Sequence, residues 1–330
     1  MARVRVFIPT FRRGRLLRRA LRSLLAQTCV DWIAEVHNDD PSDPEPAAIL
    51  NEIGDVRISL VQHERNLGGT ATFNLFFDRC AEPFMSILED DNWWQPNFVH
   101  EMLGELSKCP DVSVAWSNMR IWREQEDSSW TDTGACIWPD IDEMQAAQKI
   151  VWGDPRQAFG AVHSNGSMMV RTQDAARWRI PLVEFSVIEA VRERAFPHPM
   201  IFVPRPLANF AQTLTSHRRR DRRSWGIYQT LLAATFAATW STTPEKVEEL
   251  WSYARTLSVG VTSALLLASF QGNGLRRVRE PARAGEWLRL LASSVRHPLD
   301  CWHMLHARRL HSDLWNFLIE NSARRANAAR

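Results

Sequence analysis

Three acidic residues stand side by side in the N-terminal half of the chain, directly after a short apolar run. Residues 84–88 are apolar apart from one serine, and Glu89, Asp90 and Asp91 follow them. Hard divalent cations take oxygen ligands and keep part of their coordination shell for a substrate phosphate. A buried strand that delivers carboxylates to its end could therefore hold such a cation, while the plain alternative is an acidic surface turn.

The elements around these acids predict where they lie. Short apolar runs near residues 4–8, 32–36, 57–61, 84–88 and 112–116 read as strands, and stretches such as 14–27 and 98–106 have helical periodicity. Alternating strands and helices predict an α/β fold, with a mostly parallel sheet and helices on both faces. Polar clusters follow three of the strands, at residues 9–11, 38–40 and 89–91. Ligands of such sheets bind beyond the carboxyl ends of the strands, so we expect the clusters to share one crevice, which favours a site over a turn.

Composition and charge are those of an ordinary globular protein. The 330 residues are 45% apolar and 24% charged, enough for one large domain or two modest ones. The five cysteines form no CxxC pair and are odd in number, which predicts a reduced, cytoplasmic protein. No apolar run reaches the roughly 18 residues of a membrane span. Pro9, Arg12 and Arg13 interrupt the place where an export signal would need its apolar core, so we expect none.

Five segments occur together in the order and spacing of a known family. They are VRVFIPTF at 4–11, the helix at 16–28 that ends in SLLAQT, the acids at 38–43, HERNLGG at 63–69 and LEDD at 88–91. As a set they resemble the family 2 glycosyltransferases of GT-A fold, well over residues 3–120 and loosely over 150–217. The resemblance implies inverting transfer of a sugar from a nucleotide-diphosphate sugar to an acceptor hydroxyl. It predicts a catalytic domain at residues 1–224 and a helical C-terminal region at 225–330.

The resemblance also implies which residues bind the nucleotide. They are Pro9, Thr10 and Phe11 for the base and ribose, Asp39 or its neighbour Asp40 for the base, Arg65, Asn66 and Gly69 in the loop and helix start beneath the nucleotide, and Asp90 for the ribose. Shortly after these glycines the family usually has an Arg-Asn pair, where this chain has Phe73 and Asn74. A phosphate contact from position 73 is therefore not implied.

A Mn²⁺ or Mg²⁺ cofactor on the acids is implied as well. Asp91 corresponds to the family's metal ligand, and Glu89 stands where an aspartate is more usual. His217 completes this predicted metal and diphosphate site, because the family has a histidine there on a basic loop that closes over the diphosphate. The plain alternative for residues 213–223 is an exposed basic linker. Nucleic acid is not an expected partner, because no aromatic platform accompanies the basic cluster.

Two glutamates in the second half of the chain are candidates for the catalytic base. A general base must lie within hydrogen-bond reach of the acceptor hydroxyl. The family position matches Glu189, with Glu184 as the second candidate. Ser186 and Glu189 also have the Ser-x-x-Glu spacing of a capping box, in which the glutamate would only bond a backbone N–H. Both interpretations of Glu189 stay open from the sequence.

Three further residues are candidates for the acceptor side of the site. Trp93 and Trp94 could stack on a sugar ring, and His163 lies in a segment that resembles the acceptor side of the family site. The chain has 15 tryptophans, so core packing is the plain alternative for at least one of the two. A strand entry that contains glycine is the plain alternative for His163.

The C-terminal region, residues 225–330, reads as helices rich in tryptophan and arginine. Thr243 before Pro244 predicts a helix start, with one helix over residues 244–270. These helices can pack on the catalytic domain or on a second copy in a homo-oligomer. Alternatively they can dock as amphipathic helices on an anionic membrane, where a lipid-linked acceptor would lie. The expected location is thus cytoplasmic, with peripheral contact on the inner face of the membrane as the alternative.

The sequence leaves two candidate functions open. The first is a metal-dependent inverting glycosyltransferase with a nucleotide-sugar donor and a glycan or lipid-linked acceptor, in surface polysaccharide or glycoconjugate assembly. The second is a non-catalytic nucleotide-sugar-binding scaffold of the same fold, suggested by Glu89 and Phe73. A dinucleotide-dependent oxidoreductase is disfavoured, because PTFRRG follows the first strand where such enzymes have G-x-G-x-x-G.

Overall fold

The chain divides into two compact units. The computed structural model describes residues 3–78, 80–139, 141–214, 221–240 and 243–328, without the side chains of 326–328. The first unit comprises residues 1–150, 163–185 and 197–217, and the second comprises 151–162, 186–196 and 218–330. This division by contacts does not test the domain boundary that we predict at residue 225, which stays a prediction.

One sheet of ten strands organises the first unit, counted over the described residues. The strands are β1 (Val4–Thr10), β2 (Trp32–Asn38), β3 (Ile58–Gln62), β4 (Phe84–Ile87), β5 (Trp93–Trp94), β6 (Val114–Glu124), β7 (Trp130–Cys136), β8 (Gln148–Ile150), β9 (Met168–Arg171) and β10 (Met200–Gln212). The main order is β3-β2-β1-β4-β9-β6-β10-β5, with β7 beside β6 and β8 beside β10. Strands β3, β2, β1 and β4 run parallel, as do β6 and β10. The predicted α/β fold is confirmed.

Four helices flank this sheet: α1 (Gly14–Leu25), α2 (Glu45–Ile53), α3 (Gly69–Phe76) and α4 (Phe98–Lys108). The predicted apolar stripe of α1 is buried, including Leu17, Leu21 and Leu24, in one core with β1 and β2. Each fully buried leucine contributes roughly 1.5–3 kcal/mol relative to an exposed one. The core therefore fixes α1 directly after the loop that ends β1.

Helices make up the second unit: α5 (Ile188–Ala195), α6 (Arg222–Thr239), α7 (Pro244–Thr256), α8 (Val259–Ala268), α9 (Ala284–Arg296), α10 (Pro298–Leu305), α11 (Ala307–Leu310) and α12 (Ser312–Ala328). Thr243 is the N-cap of α7 and Pro244 its first residue, as predicted. The single helix predicted over 244–270 is wrong, since the backbone is extended at Leu257 and Ser258. Trp225 packs over Gly260, where an added Cβ would lie 2.8 Å from its Cζ3 atom, so the break seats α8 against α6. None of the described helices is both long and apolar enough to cross a membrane.

Candidate functional site

Two carboxylates meet two hydrogen-bond donors where β1 and β4 end. These strands are parallel neighbours, so their carboxyl ends lie at the same edge of the sheet. Thr10 Oγ1 donates to Asp90 Oδ2 over 2.8 Å. Arg13 Nη1 donates to Asp91 Oδ2 over 2.9 Å and to Asp90 Oδ1 over 3.3 Å. The predicted convergence of the segments after β1 and β4 is therefore present, and Asp90 and Asp91 are called the carboxylate pair below.

Burial shifts the pKa of Asp90. Asp90 is only 5% exposed. Burial, and next the nearby charge of Asp91, raise the pKa of Asp90 to about 7, although Arg13 and Thr10 act in the opposite direction. An unpaired buried carboxylate is costly, so the pair needs a cation beside it. Arg13 provides that positive charge.

The Arg13 guanidinium lies where both carboxylates can reach one cation, which is the arrangement that a divalent metal would need. One oxygen of each carboxylate lies within hydrogen-bond distance of the same nitrogen, so the two oxygens converge on one cation. Among the residues that the structure describes, no group of three or more His, Cys, Asp or Glu side chains could hold a metal. Two carboxylates fit Mg²⁺ or Mn²⁺ when a diphosphate supplies further oxygens, which is how Mg²⁺ is usually bound. The carboxylate pair therefore fits the implied metal as a shared site.

Glu89 makes a different contact from the carboxylate pair. Its Oε2 accepts a hydrogen bond from Asn92 Nδ2 over 2.8 Å. The same oxygen lies against Gly166, where an added Cβ would be 2.8 Å away. Asn92 Oδ1 in turn accepts from the backbone of Ala211 on β10. The predicted metal contact of Glu89 stays a prediction, and His217 lies outside the described residues.

Asp39 fixes the loop that precedes α3. Its two oxygens accept the backbone N–H groups of Leu67 and Gly68 over 2.8 and 2.9 Å. Its Oδ1 also lies 2.9 Å from His63 Nδ1. Gly68 has φ +78°, a left-handed conformation that glycine adopts without strain. Asp39 thus shapes this loop, and its predicted bond to a base stays a prediction.

Asp40 is bound to the loop between β1 and α1. Its Oδ2 accepts from Arg12 Nε over 2.5 Å, and its Oδ1 accepts from the backbone and hydroxyl of Ser42. The Arg12 contact, followed by those of Ser42, lowers the pKa of Asp40 to about 2. Arg12 has φ +56°, a costly conformation for a residue with a side chain. Its guanidinium also lies 5.0 Å from the ring of Phe11, which is 41% exposed. This arrangement joins the predicted residues at the ends of β1 and β2.

Close packing explains Gly69 and the unusual Phe73. A Cβ on Gly69 would lie 2.4 Å from Cδ2 of Phe185, so only glycine fits there. Phe73 is buried and its ring centroid lies 5.2 Å from that of Phe185. Asn74 bonds both the N–H and the carbonyl of Ile180. Helix α3 is therefore fixed by packing, while Arg65 and Asn66 in the loop before it are exposed.

The two neighbouring tryptophans have different roles. Trp94 is 2% exposed, stacks on Phe98 at 4.1 Å between ring centroids, and donates from Nε1 to the Gly166 carbonyl. Core packing, the alternative that we left open, is its role, and its predicted stacking on an acceptor is wrong. Trp93 is half-buried and its acceptor role stays a prediction. His163 is buried, and its acceptor role likewise stays a prediction.

Arg19 of α1 lies between two tryptophans. Its guanidinium is 3.9 Å from the ring centroid of Trp93 and 3.8 Å from that of Trp130. Its Nη2 donates to the backbone carbonyl of Asp91 over 2.6 Å. Burial lowers the pKa of Arg19 to about 10. Arg19 thus ties the Trp93 ring to the backbone of the carboxylate pair.

Glu189 lies in the second unit, at the start of α5. That helix begins at Ile188 with Val187 as its N-cap and no side-chain cap bond, so Ser186 is not its N-cap. Glu189 lines a cavity of about 370 Å³ together with Ser186, Trp225, Gln229 and Ser258. Glu184 is half-buried in the first unit. Both interpretations of Glu189, as helix cap and as base, stay predictions, and Glu184 stays the second candidate for the base.

Buried charges hold α5 in the second unit. Glu193 accepts from Gln157 Nε2 over 2.8 Å and from the Val162 N–H over 2.7 Å, and all three groups are buried. Burial lowers the pKa of Arg194 to about 10, and this arginine lies 4.7 Å from the ring centroid of Trp152. The sequence analysis does not identify either residue, because charged side chains are rarely fully buried and no local pattern marks these two as exceptions.

A comparison with sequence families and curated proteins agrees with this architecture. Residues 5–152 match the model of Glycosyl transferase family 2. One curated relative is the UDP-Glc:alpha-D-GlcNAc-diphosphoundecaprenol beta-1,3-glucosyltransferase WfgD of Escherichia coli, 25% identical over 118 residues. That match covers 36% of this chain and 46% of WfgD, so it spans about half the length of that relative.

Solved structures of similar fold cover nearly the whole chain. TarS 1-349 of S. aureus in complex with UDP has a TM-score of 0.59 at 14% identity, over 98% of this chain and 92% of that one. The mannosyltransferase PcManGT of Pyrobaculum calidifontis, in complex with GDP-Man and Mn²⁺, has a TM-score of 0.51 at 13% identity, over 99% and 88%. These likenesses concern the fold alone, and they confirm the predicted GT-A architecture with C-terminal helices. Residues 5–152, a little under half of the chain, are thus similar to glycosyl transferase family 2.

Proposed function

We propose that the protein is an inverting glycosyltransferase that moves a sugar from a nucleotide-diphosphate sugar to an acceptor hydroxyl. The observation that carries this is the carboxylate pair, held by Thr10 and Arg13 at the strand ends of a family 2 domain. One or two carboxylates together with substrate phosphates are the usual ligands of Mg²⁺, so the pair suits a diphosphate site. The likeness to TarS bound to UDP supports a nucleotide donor.

The carboxylate pair would hold Mn²⁺ or Mg²⁺ together with the diphosphate. When bound, the cation supplies Lewis-acid stabilisation of the departing diphosphate. Asp91 is the proposed ligand and Asp90 the proposed ribose contact. Mn²⁺ in the PcManGT complex supports this choice of cofactor.

Glu189 is the proposed general base, with Glu184 as the second candidate. Its support is the open cavity that it lines, whose other polar side chains, Ser186, Gln229 and Ser258, could orient a sugar hydroxyl. Inversion requires that the base takes the proton as the hydroxyl attacks. The similarity to WfgD supports an acceptor linked to a lipid diphosphate, and hence a role in surface polysaccharide assembly. We propose with it that catalysis takes place at the cytoplasmic face of the membrane.

Two measurements test the proposal. Thermal unfolding against UDP, GDP, dTDP and CMP, with and without Mn²⁺, identifies the nucleotide, because a ligand of the native state raises its stability. Release of the nucleoside diphosphate from the matching donor is then measured for wild type, Asp91→Asn and Glu189→Gln. We expect a loss of at least about 100-fold for each variant. Binding of a nucleotide without turnover across a wide acceptor panel would favour the scaffold instead.

A further inference from the structure

Two consecutive helices of the second unit expose apolar side chains to solvent. On α9, Leu288, Leu291 and Val295 are 65%, 60% and 84% exposed, and on α10, Leu299 and Trp302 are 64% and 50% exposed. Residues spaced by three or four positions lie on one face of a helix. Each helix therefore carries an apolar stripe on its outer side, and these five residues are called the outer face.

The residues of the outer face differ from those by which α9 and α10 pack in the second unit. Glu286 and Leu290 of α9, and Cys301 and Met304 of α10, are buried. Glu286 also binds Arg255 over 2.9 Å. Both helices therefore pack through their buried residues, and the exposed apolar side chains take no part in this packing. Clustered exposed apolar side chains of this kind mark an interaction surface.

Positive charge surrounds the outer face. Arg289 and Arg296 on α9, and Arg309 on α11, are exposed. Within residues 284–311 the acids are Glu286 and Asp300, and each is paired with an arginine of the second unit, over 2.9 Å in both cases. The face therefore combines apolar side chains with arginines whose charge is not cancelled by acids of the same helices.

We propose that the outer face docks on an anionic lipid membrane. Amphipathic helices with apolar side chains and a basic rim lie in the plane of the lipid headgroups. A second copy of the chain fits this surface poorly, because a two-fold interface sets the same patch against itself and would bring the arginines of both copies together. The proposal goes beyond the glycosyl transfer described above, since membrane binding needs neither donor nor acceptor.

Sedimentation with lipid vesicles tests the docking with the full chain. Vesicles of phosphatidylcholine alone are compared with vesicles that contain about one quarter phosphatidylglycerol. We expect the protein to bind the anionic vesicles and to be released by salt. Leu291→Glu with Val295→Glu should weaken that binding at least about tenfold. Arg289→Gln with Arg296→Gln should weaken it about 10- to 30-fold on anionic vesicles only.

A matched control and three contrary results complete the test. Val56→Glu replaces a fully exposed apolar residue of the first unit and should leave vesicle binding unchanged. Thermal unfolding should be unaffected in every variant, because the replaced side chains are exposed. The proposal is overturned if wild type does not bind anionic vesicles, or if the double glutamate variant binds them as wild type does. A wild-type dimer that the glutamate substitutions dissociate would assign the face to a second copy and would equally overturn it.

Discussion

Arg13→Ala should weaken the fold and strengthen divalent-metal binding at the same time. The guanidinium of Arg13 bridges Asp91 and Asp90 at 2.9 and 3.3 Å, with its own side chain 37% exposed and that of Asp90 only 7% exposed. Exposed ion pairs contribute about 0–1 kcal/mol, whereas breaking a buried pair costs about 3–5 kcal/mol. This bridge lies between the two cases, so the free energy of unfolding should fall by about 1–2 kcal/mol.

The same contact opposes a metal ion that uses the carboxylate pair. Mn²⁺ alone must break the Arg13 bridge before it binds, so removal of the arginine should tighten Mn²⁺ binding by about 5- to 30-fold. The assay is titration with Mn²⁺ without nucleotide, followed by electron paramagnetic resonance of the free ion, at a pH above the raised pKa of Asp90, about 7. Arg13→Lys, which keeps the charge, should lie between wild type and the alanine variant.

Arg18→Ala is the matched control for this measurement. Arg18 lies on the same helix and pairs with Glu52, whose side chain is 64% exposed, away from the carboxylate pair. Its loss should change neither Mn²⁺ affinity nor, beyond about 1 kcal/mol, stability. If Arg13→Ala bound Mn²⁺ no more tightly than Arg18→Ala does, competition between Arg13 and the metal would be refuted.

Two further predictions concern Gly69, the first residue of α3, and Arg12, which binds Asp40. Gly69→Ala should lower the free energy of unfolding by about 1–3 kcal/mol, because the new Cβ would lie 2.4 Å from a ring carbon of Phe185. Gly104→Ala on α4 meets no atom within 4 Å, so urea unfolding should show a gain of up to about 1 kcal/mol. The pKa of Asp40 is lowered to about 2, so its stabilising contribution is present above its ordinary pKa of 3.8 and is lost as pH falls through about 2. The stability difference between wild type and Arg12→Gln should therefore narrow over that pH range, and equal differences at neutral and acidic pH would contradict the role of Arg12.

Strands β1 to β4, which run parallel, could be predicted because each has a recognisable pattern in the local sequence. Each of β1 to β4 is a short apolar run, and a polar cluster follows β1, β2 and β4. Each predicted strand lies within three residues of the observed one. Strand β10 was missed since Pro204 and Pro206 lack a backbone N–H and argue against a strand. The structure accommodates them with register shifts beside Val203 and Pro206. The parallel pairing of β10 with β6 therefore depends on an irregular register that no short pattern shows.

The acidic residues of the candidate site could be predicted from the sequence better than the residues that contact them. Asp90 and Asp91 were identified from the run that precedes them, while Arg13, 77 and 78 residues away in sequence, was taken for part of a loop. Asn92 bonds Ala211 across 119 residues. Contacts at such separations are fixed by which strands become neighbours, and sheet order is not a local property of the sequence. Helix α5 likewise begins at Ile188, one residue later than the Ser-x-x-Glu spacing predicts.

The two departures from the family pattern have local causes that do not require loss of catalysis. Phe73 replaces the usual arginine, and its ring packs edge-on against Phe185, which also excludes any side chain at Gly69. An arginine there would bury a charge between aromatic rings, so the replacement follows from the packing of the 185 segment. Glu89 uses its extra methylene to reach Asn92 and Gly166. Neither change removes a contact of the carboxylate pair, which is why these residues, first weighed as signs of a scaffold, no longer favour it over a transferase.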